Sequence, residues 1–219
     1  MNSSNKKRWP TKEAMEQVYE LNLWGGNHSS FYSGDGSYNA NIVDPYLKVV
    51  LSFLNSFDEP LNVVDLGCGD FNIGNQLIGS VKNYIAVDIV EKLIERNKNF
   101  FNANNLEFYR LDIAKDSLPV GDCAILRQVL QHLSNKEVNS IIQKLFKYKY
   151  VLLTEHIPGG KFHPNIDIIS GQGIRLKKNS GLDLFSPPFN LKVKKVTEIG
   201  SVRVKKWKGK IVTTLLEMY

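Results

Sequence analysis

The stretch that most constrains this chain runs from Leu61 to Gly74: Leu-Asn-Val-Val-Asp-Leu-Gly-Cys-Gly-Asp-Phe-Asn-Ile-Gly. Val63, Val64 and Leu66 form a short β-branched and aliphatic run, the pattern of a strand buried in a parallel sheet. Gly67 and Gly69 break that run. Phe71, Ile73, Leu77 and Ile78 then recur at roughly helical spacing, so the reading is strand, glycine turn, and a helix over 71–80. A doubly wound α/β fold places a nucleotide-like ligand at such a junction. The glycines let the backbone approach it, and the helix amino terminus offers unpaired N–H groups.

Neighbouring residues narrow the ligand. A dinucleotide fingerprint needs a third glycine where Asn72 stands. Asp65, at the strand end, would repel a pyrophosphate and suits a ligand with an ammonium group, such as S-adenosylmethionine. Asp88 closes the next apolar run, Tyr84-Ile-Ala-Val-Asp, where it can accept from both hydroxyls of a ribose. A third acid, Asp112, follows the run Leu106 to Leu111.

With 219 residues the chain has room for one domain with an ample core. No apolar run is long enough for a membrane span, and residues 2–8 are polar and basic with no signal-peptide core after them. Cys68 and Cys123 lack metal-ligand spacing, which predicts a reducing, cytoplasmic setting and no metal site. The net charge of +6 is concentrated from Leu191 to Tyr219, where eight Lys and Arg face only Glu198 and Glu217. Such a patch suits nucleic acid, a phosphorylated substrate or an anionic membrane. The simpler reading is lysines guarding an edge hairpin, since Trp207 is almost the only aromatic there.

In chain order, Thr11 to Leu23 reads as a helix capped by Thr11. Trp24 to Ser37 is a long glycine- and serine-rich loop with three aromatics, the composition of a lid that closes over a ligand. Asp44-Pro45 reads as a helix start leading into Tyr46, Leu47, Val50, Leu51 and Leu54. After the strand ending at Asp88 come a helix over 90–101, a strand over 106–111, and a fourth strand, Cys123 to Arg127. Ser134-x-x-Glu137 is a capping box opening the next helix. Tyr150 to Thr154 is the fifth strand, with Glu155 and His156 just beyond it. Residues 157–190 are irregular and long for a structureless connection, which suggests a binding segment. Two strands, near 191–198 and 210–217, close the chain around a basic turn. The alternation predicts an α/β, mostly parallel sheet flanked by helices, with a C-terminal antiparallel hairpin.

Together these residues resemble a family of bacterial class I, Rossmann-like S-adenosylmethionine-dependent methyltransferases, many of which accompany surface-polysaccharide genes. The matching segments span nearly the whole chain. They are Trp24-Gly25, Ser33-Gly34-Asp35-Gly36-Ser37, Cys68-Gly69-Asp70-Phe71-Asn72, Asp88-Ile89-Val90, Leu111-Asp112-Ile113, Leu118-Pro119, Leu126-Arg127, His132-Leu133-Ser134, Asn165-x-Asp167-Ile168, Arg175 and Pro188-Phe189. One departure is Gln128, where the family usually has an aspartate after Arg127. The resemblance implies a single domain over 1–219: an N-terminal helix and lid loop (1–43), a cofactor-binding core (44–156), and a substrate segment with the terminal hairpin (157–219). It implies cofactor contacts from Trp24, Ser33, Asp65, Gly67, Cys68, Gly69, Asp88, Ile89, Asp112, Ile113 and Arg127. In such a site Asp112 meets the adenine amino group, although it can equally just cap a turn.

Methyl transfer to a hydroxyl needs alignment and a base. His132 is the first candidate and His156 the second. Tyr32, Gln128, Glu155 and Arg175 are expected at the acceptor, with Arg175 suited to a carboxylate or phosphate. The expected reaction is O-methylation of a small polar or carbohydrate-type acceptor, with phosphorylated or sugar-linked molecules included, and without nucleic acid or membrane. Two alternatives stand beside it: a nucleic-acid methyltransferase using the basic hairpin, and a non-catalytic module that binds S-adenosylmethionine. Leu126-Arg127-Gln128-Val129 holds no Asn-Pro-Pro-Tyr-type motif, which argues against base N-methylation of DNA.

Overall fold

The computed structural model describes residues 9–26, 31–204 and 209–219. Seven strands form one sheet in the order β3-β2-β1-β4-β5-β9-β8. β1 (Asn62–Leu66), β2 (Asn83–Asp88), β3 (Leu106–Arg110), β4 (Cys123–Arg127) and β5 (Tyr150–Pro158) run parallel. β9 (Gly209–Glu217) joins β5 antiparallel, and β8 (Lys195–Val204) joins β9. The expected Rossmann-like sheet with its terminal hairpin is therefore present. The chain order reverses between β1 and β4, so a crevice opens beyond their carboxyl ends.

Side chains alternate across the sheet, and each face has its own core. Val64, Leu66, Ala124 and Leu126 pack under α5 (Asn135–Ile142) on one face. Val63, Ala86, Cys123, Ile125 and Leu152 pack on the other against Tyr46, Leu47, Val50 and Leu54 of α3 (Ala40–Leu54). By the same alternation Asp65 and Arg127 belong to the α3 face. α1 (Thr11–Glu20), the single turn α2 (Asp35–Tyr38) and α4 (Glu91–Phe100) complete the helices used below.

Several elements differ from the sequence reading. The helix expected over 71–80 is two 3₁₀ turns, Gly74–Gln76 and Ile78–Ser80. Phe71 sits in the left-handed region at φ 63°, and its ring lies where a Cβ on Gly74 would be. That geometry interrupts an α-helix, and Phe71 and Leu77 still bury completely. The amides of the glycine turn face inward instead: Gly67 and Cys68 both donate to the Val87 carbonyl at 2.9 Å. α3 begins at Ala40, not Asp44, because Asn39 caps it by accepting from the Asn41 N–H. Pro45 thus lies inside the helix, and the division at 43/44 falls within α3. Thr11 does not cap α1; Pro10 occupies that position and the Thr11 hydroxyl donates to Glu137 of α5.

β5 runs on to Pro158 because β9 pairs along its whole length. Glu155 and His156 are therefore inside a strand rather than past its end. The irregular stretch is packed. It holds a two-strand parallel pair, β6 (His163–Pro164) with β7 (Ser180–Gly181), and a 3₁₀ turn at Arg175–Lys178. The basic turn between β8 and β9, with Trp207, falls at 205–208, and His28 falls at 27–30; both lie outside the described residues. Among the described residues no helix is long and apolar enough to cross a membrane.

Candidate active site

A cavity of about 730 Å³ occupies the crevice at the carboxyl ends of β1, β2, β4 and β5. Its first half is built by the glycine turn and the ends of β2 and β3. Gly67 (φ 99°) and Gly69 (φ 56°) hold conformations that favour glycine, and their surroundings also require it. A Cβ on Gly67 would lie 2.5 Å from Val129 Cγ2, and one on Gly69 2.5 Å from Ser33 Oγ. Cys68 borders the cavity between them, its thiol pushed up by burial.

Asp88 is buried at the end of β2. It accepts from the N–H of Gly69 (3.1 Å) and of Val90 (3.0 Å) on separate oxygens. A carboxylate has about four acceptor positions, so Asp88 keeps capacity for a hydroxyl of a ligand. Ile89 and Ile113 border the same half. Asp112 is there too and also caps a turn: it accepts from the Ala114 N–H at 3.0 Å and pairs with Lys115 at 2.8 Å.

Asp65 and Arg127 stand further along. The Tyr84 hydroxyl donates to Asp65 at 2.8 Å, and burial raises the carboxyl to about 7. Arg127 donates to the carbonyl of Gly36 at 2.5 Å, and its guanidinium lies 4.6 Å from the Tyr46 ring centroid. No carboxylate pairs with Arg127 among the described residues. An acid and a base at one end of the cavity suit an α-amino acid terminus, the carboxyl facing the ammonium and the guanidinium facing the carboxylate. With the ribose site at Asp88, this donor and acceptor set fits S-adenosylmethionine.

The two candidate histidines have different surroundings. His132 is part of a chain of hydrogen bonds. Gln131 accepts the His156 N–H on Oε1 (2.9 Å), so its amide nitrogen is the group 3.3 Å from His132 Nε2. The other ring nitrogen, Nδ1, donates to the Gly171 carbonyl at 3.2 Å. Both nitrogens of His132 are thus engaged, burial lowers its pKa to about 4, and its ring rests 5.0 Å from that of Trp24. His132 borders the cavity too, and a substrate would have to displace the Gln131 amide to reach its Nε2 lone pair. His156 borders the cavity, is likewise lowered to about 4 by burial, and its Nε2 is buried with no partner.

Three further expectations are corrected. Glu155 faces the other side of its strand and accepts from the N–H groups of Leu130 (3.2 Å) and Gln131 (3.0 Å). Arg175 is buried and donates to the carbonyls of Leu130, Gln131 and Leu133 and to Asn135 Oδ1. These two residues hold the turn after β4 from opposite sides and do not await an acceptor. Tyr32 stacks on Tyr38 at 4.7 Å and donates to Asp35 at 3.0 Å on the outer surface. Gln128 and Trp24, by contrast, border the cavity as expected. Ser33 joins them, bound to the Tyr19 hydroxyl (3.1 Å) and to Asp70.

The second half of the cavity lies beside β4 and β5 on the α3 face. Arg127 pairs in register with Thr154, and His156 is two residues further on the same face. Gln128 donates its N–H to the Thr154 carbonyl at 2.7 Å. Tyr46 Oη, Arg127 Nε, Gln128 Nε2 and His156 Nε2 are all buried without a hydrogen-bond partner. All four residues border this cavity. An unpaired buried polar group costs about 1–3 kcal/mol, so each of the four would be stabilised by a polar ligand that reached it. Sequence reasoning missed Tyr46, which carries the same helical spacing as the core residues around it, and Gln131, which carries no motif.

Residues 63–148 match a family model described as a methyltransferase domain. That segment is similar to a methyltransferase domain. It contains both halves of the glycine turn, Asp65, Asp88, Asp112 and Arg127. No curated protein matches the chain in sequence. Solved structures share the fold. Magnesium protoporphyrin IX methyltransferase from Synechocystis PCC 6803, with bound S-adenosylmethionine, superimposes with a TM-score of 0.61 at 14% identity, over 99% of this chain and 100% of that one. The N-methyltransferase NodS from Bradyrhizobium japonicum WM9, with S-adenosylhomocysteine, gives 0.59 at 11% identity over 84% and 93%. A dimethyladenosine transferase from Plasmodium falciparum gives 0.51 at 20% identity over 78% and 60%.

Proposed function

We infer that this S-adenosylmethionine-dependent methyltransferase acts on a hydroxyl group of a small polar, carbohydrate-type acceptor. The observation that supports the reading is that Tyr46, Gln128 and His156 each keep a buried polar atom without a partner and all border the cavity that Arg127 also lines. Such a set offers several donors and an imidazole to a hydroxyl-rich molecule. Bound there, S-adenosylmethionine supplies an electrophilic methyl carbon. Asp88 holds its ribose hydroxyls, Asp65 and Arg127 its amino acid end, and Ile89 and Ile113 flank its base. His156 takes the hydroxyl proton of the acceptor as the new C–O bond forms, and then returns that proton to solvent.

The hairpin gives little support to a nucleic-acid substrate. Lys195 pairs with Glu217 at 3.2 Å and Lys210 with Glu198 at 3.8 Å, so part of its positive charge is balanced internally. The test is production of S-adenosylhomocysteine by the purified protein with a panel of glycosides, sugar phosphates, aromatic alcohols and RNA. Turnover of glycosides or sugar phosphates alone is expected. Turnover of RNA, with none of a carbohydrate, overturns the reading.

A further inference from the structure

The polar cluster has an aliphatic counterpart. Ile42 of α3 and Val204 and Ile211 of the hairpin border the same cavity. Ile211 is the register partner of His156 across the β5–β9 ladder, so both side chains stand on one face of the sheet. Val204 pairs with Gly209 at the same end of the hairpin, and Gly209 must lack a side chain there. A Cβ at residue 209 would lie 2.8 Å from His156 Nε2 and 2.6 Å from the Ile157 carbonyl. The His156 ring therefore abuts Gly209 and stands in register with Ile211, and Ile42 of the first turn of α3 lines the same cavity.

We propose that the hairpin end is the specificity wall of the acceptor site. It selects a compact hydroxyl compound that turns an aliphatic face, such as the methyl group of a deoxy sugar, toward Ile42, Val204 and Ile211. The proposal rests on the carbohydrate reading above and adds to it which face of the acceptor is buried. A hydroxymethyl group against this wall would lose its water without gaining a partner, because the three side chains offer no donor or acceptor. A methyl group there loses nothing, so the two acceptors are distinguished by one oxygen atom. The transfer itself is unchanged. The acceptor oxygen forms a bond to the methyl carbon, the carbon–sulfur bond breaks with its electron pair left on sulfur, and the hydroxyl proton passes to His156.

Methyl α-L-fucopyranoside and methyl α-L-galactopyranoside differ only in that oxygen and are the probes. The expected result is a kcat/KM for the fucoside at least about tenfold above that for the galactoside. Val204→Thr, which keeps the shape and adds a hydroxyl at a partly exposed position, is expected to narrow that ratio severalfold. Ile211→Val is the milder second variant, and thermal melting reports whether each is folded. Equal rates with the two glycosides, or a ratio unmoved in folded Val204→Thr, overturn the specificity wall and leave the carbohydrate reading standing. Transfer to neither glycoside nor any other sugar, with transfer to an aromatic alcohol or RNA, overturns both.

Discussion

Ser33 and Asp70 hold each other reciprocally: the Ser33 N–H donates to Asp70 Oδ2 at 2.8 Å, and the Asp70 N–H donates to Ser33 Oγ at 2.9 Å. The pair fastens the segment before α2 onto the glycine turn. Asn72 adds a bond to the Ser37 carbonyl at 2.6 Å, and Arg127 reaches Gly36. The strap from Ser33 to Ser37 is thus tied to both halves of the cavity and forms part of its lining.

Cofactor binding should therefore change the protection of this strap. Hydrogen exchange on residues 33–37 is expected to slow when S-adenosylhomocysteine is added, and Ser33→Ala should reduce the difference. Equal exchange in both states would rule out a closing role.

Cofactor affinity should depend on pH through Asp65. Burial raises its carboxyl to about 7, and the bound ammonium favours the ionised form, so binding releases a proton below that pH. The association constant is expected to fall by up to about tenfold per unit as pH drops below 7, and to level off above it. Asp65→Asn should bind more weakly and lose this slope. Calorimetry in buffers of different ionisation enthalpy measures both, and a slope retained in the variant would assign the proton elsewhere.

The two histidines should separate in kinetics. His156→Ala is expected to lower kcat by roughly 10²–10⁴ with cofactor affinity kept. Because burial holds His156 near 4, its neutral form persists well below the ordinary histidine range, and the acid limb of the kcat profile should lie below pH 6. His132→Ala should instead reduce stability, by about 1–3 kcal/mol, through the unpaired Gln131 amide and Gly171 carbonyl. A larger kcat loss in His132→Ala than in His156→Ala would reverse the assignment.

Arg175→Met tests the turn after β4. It removes the donor shared by three main-chain carbonyls and leaves Glu155, raised to about 8 by burial, without the nearby positive charge. A stability loss of about 3–5 kcal/mol in chemical denaturation is expected, with acceptor KM little changed in whatever fraction remains folded. A selective rise in KM would return Arg175 to the acceptor.

The parallel sheet, its order of elements and the place of Asp65 and Asp88 at the ends of β1 and β2 were legible in the sequence because they depend on local pattern. Val63 to Gly69 is readable from period and glycine alone. The helix over 71–80 was not, because its apolar spacing is matched equally well by two short turns around the left-handed Phe71. The polar residues past β4 were misread for a different reason. Whether Glu155 or Arg175 faces substrate or neighbouring main chain is decided by contacts between residues 25 to 45 apart in sequence. His156 was placed beyond a strand because the partner that prolongs β5 comes more than fifty residues later in the chain.

That partner also sets an order of assembly. β9 is the last strand of the sheet to be synthesised, yet it lies between β5 and β8 and supplies Ile211 opposite His156. During translation the cofactor half, complete by β4, has all its strands before the acceptor half has its wall. A nascent chain stopped short of residue 209 would carry the glycine turn beside an open β5 edge, with His156 lacking the strand that stands opposite it.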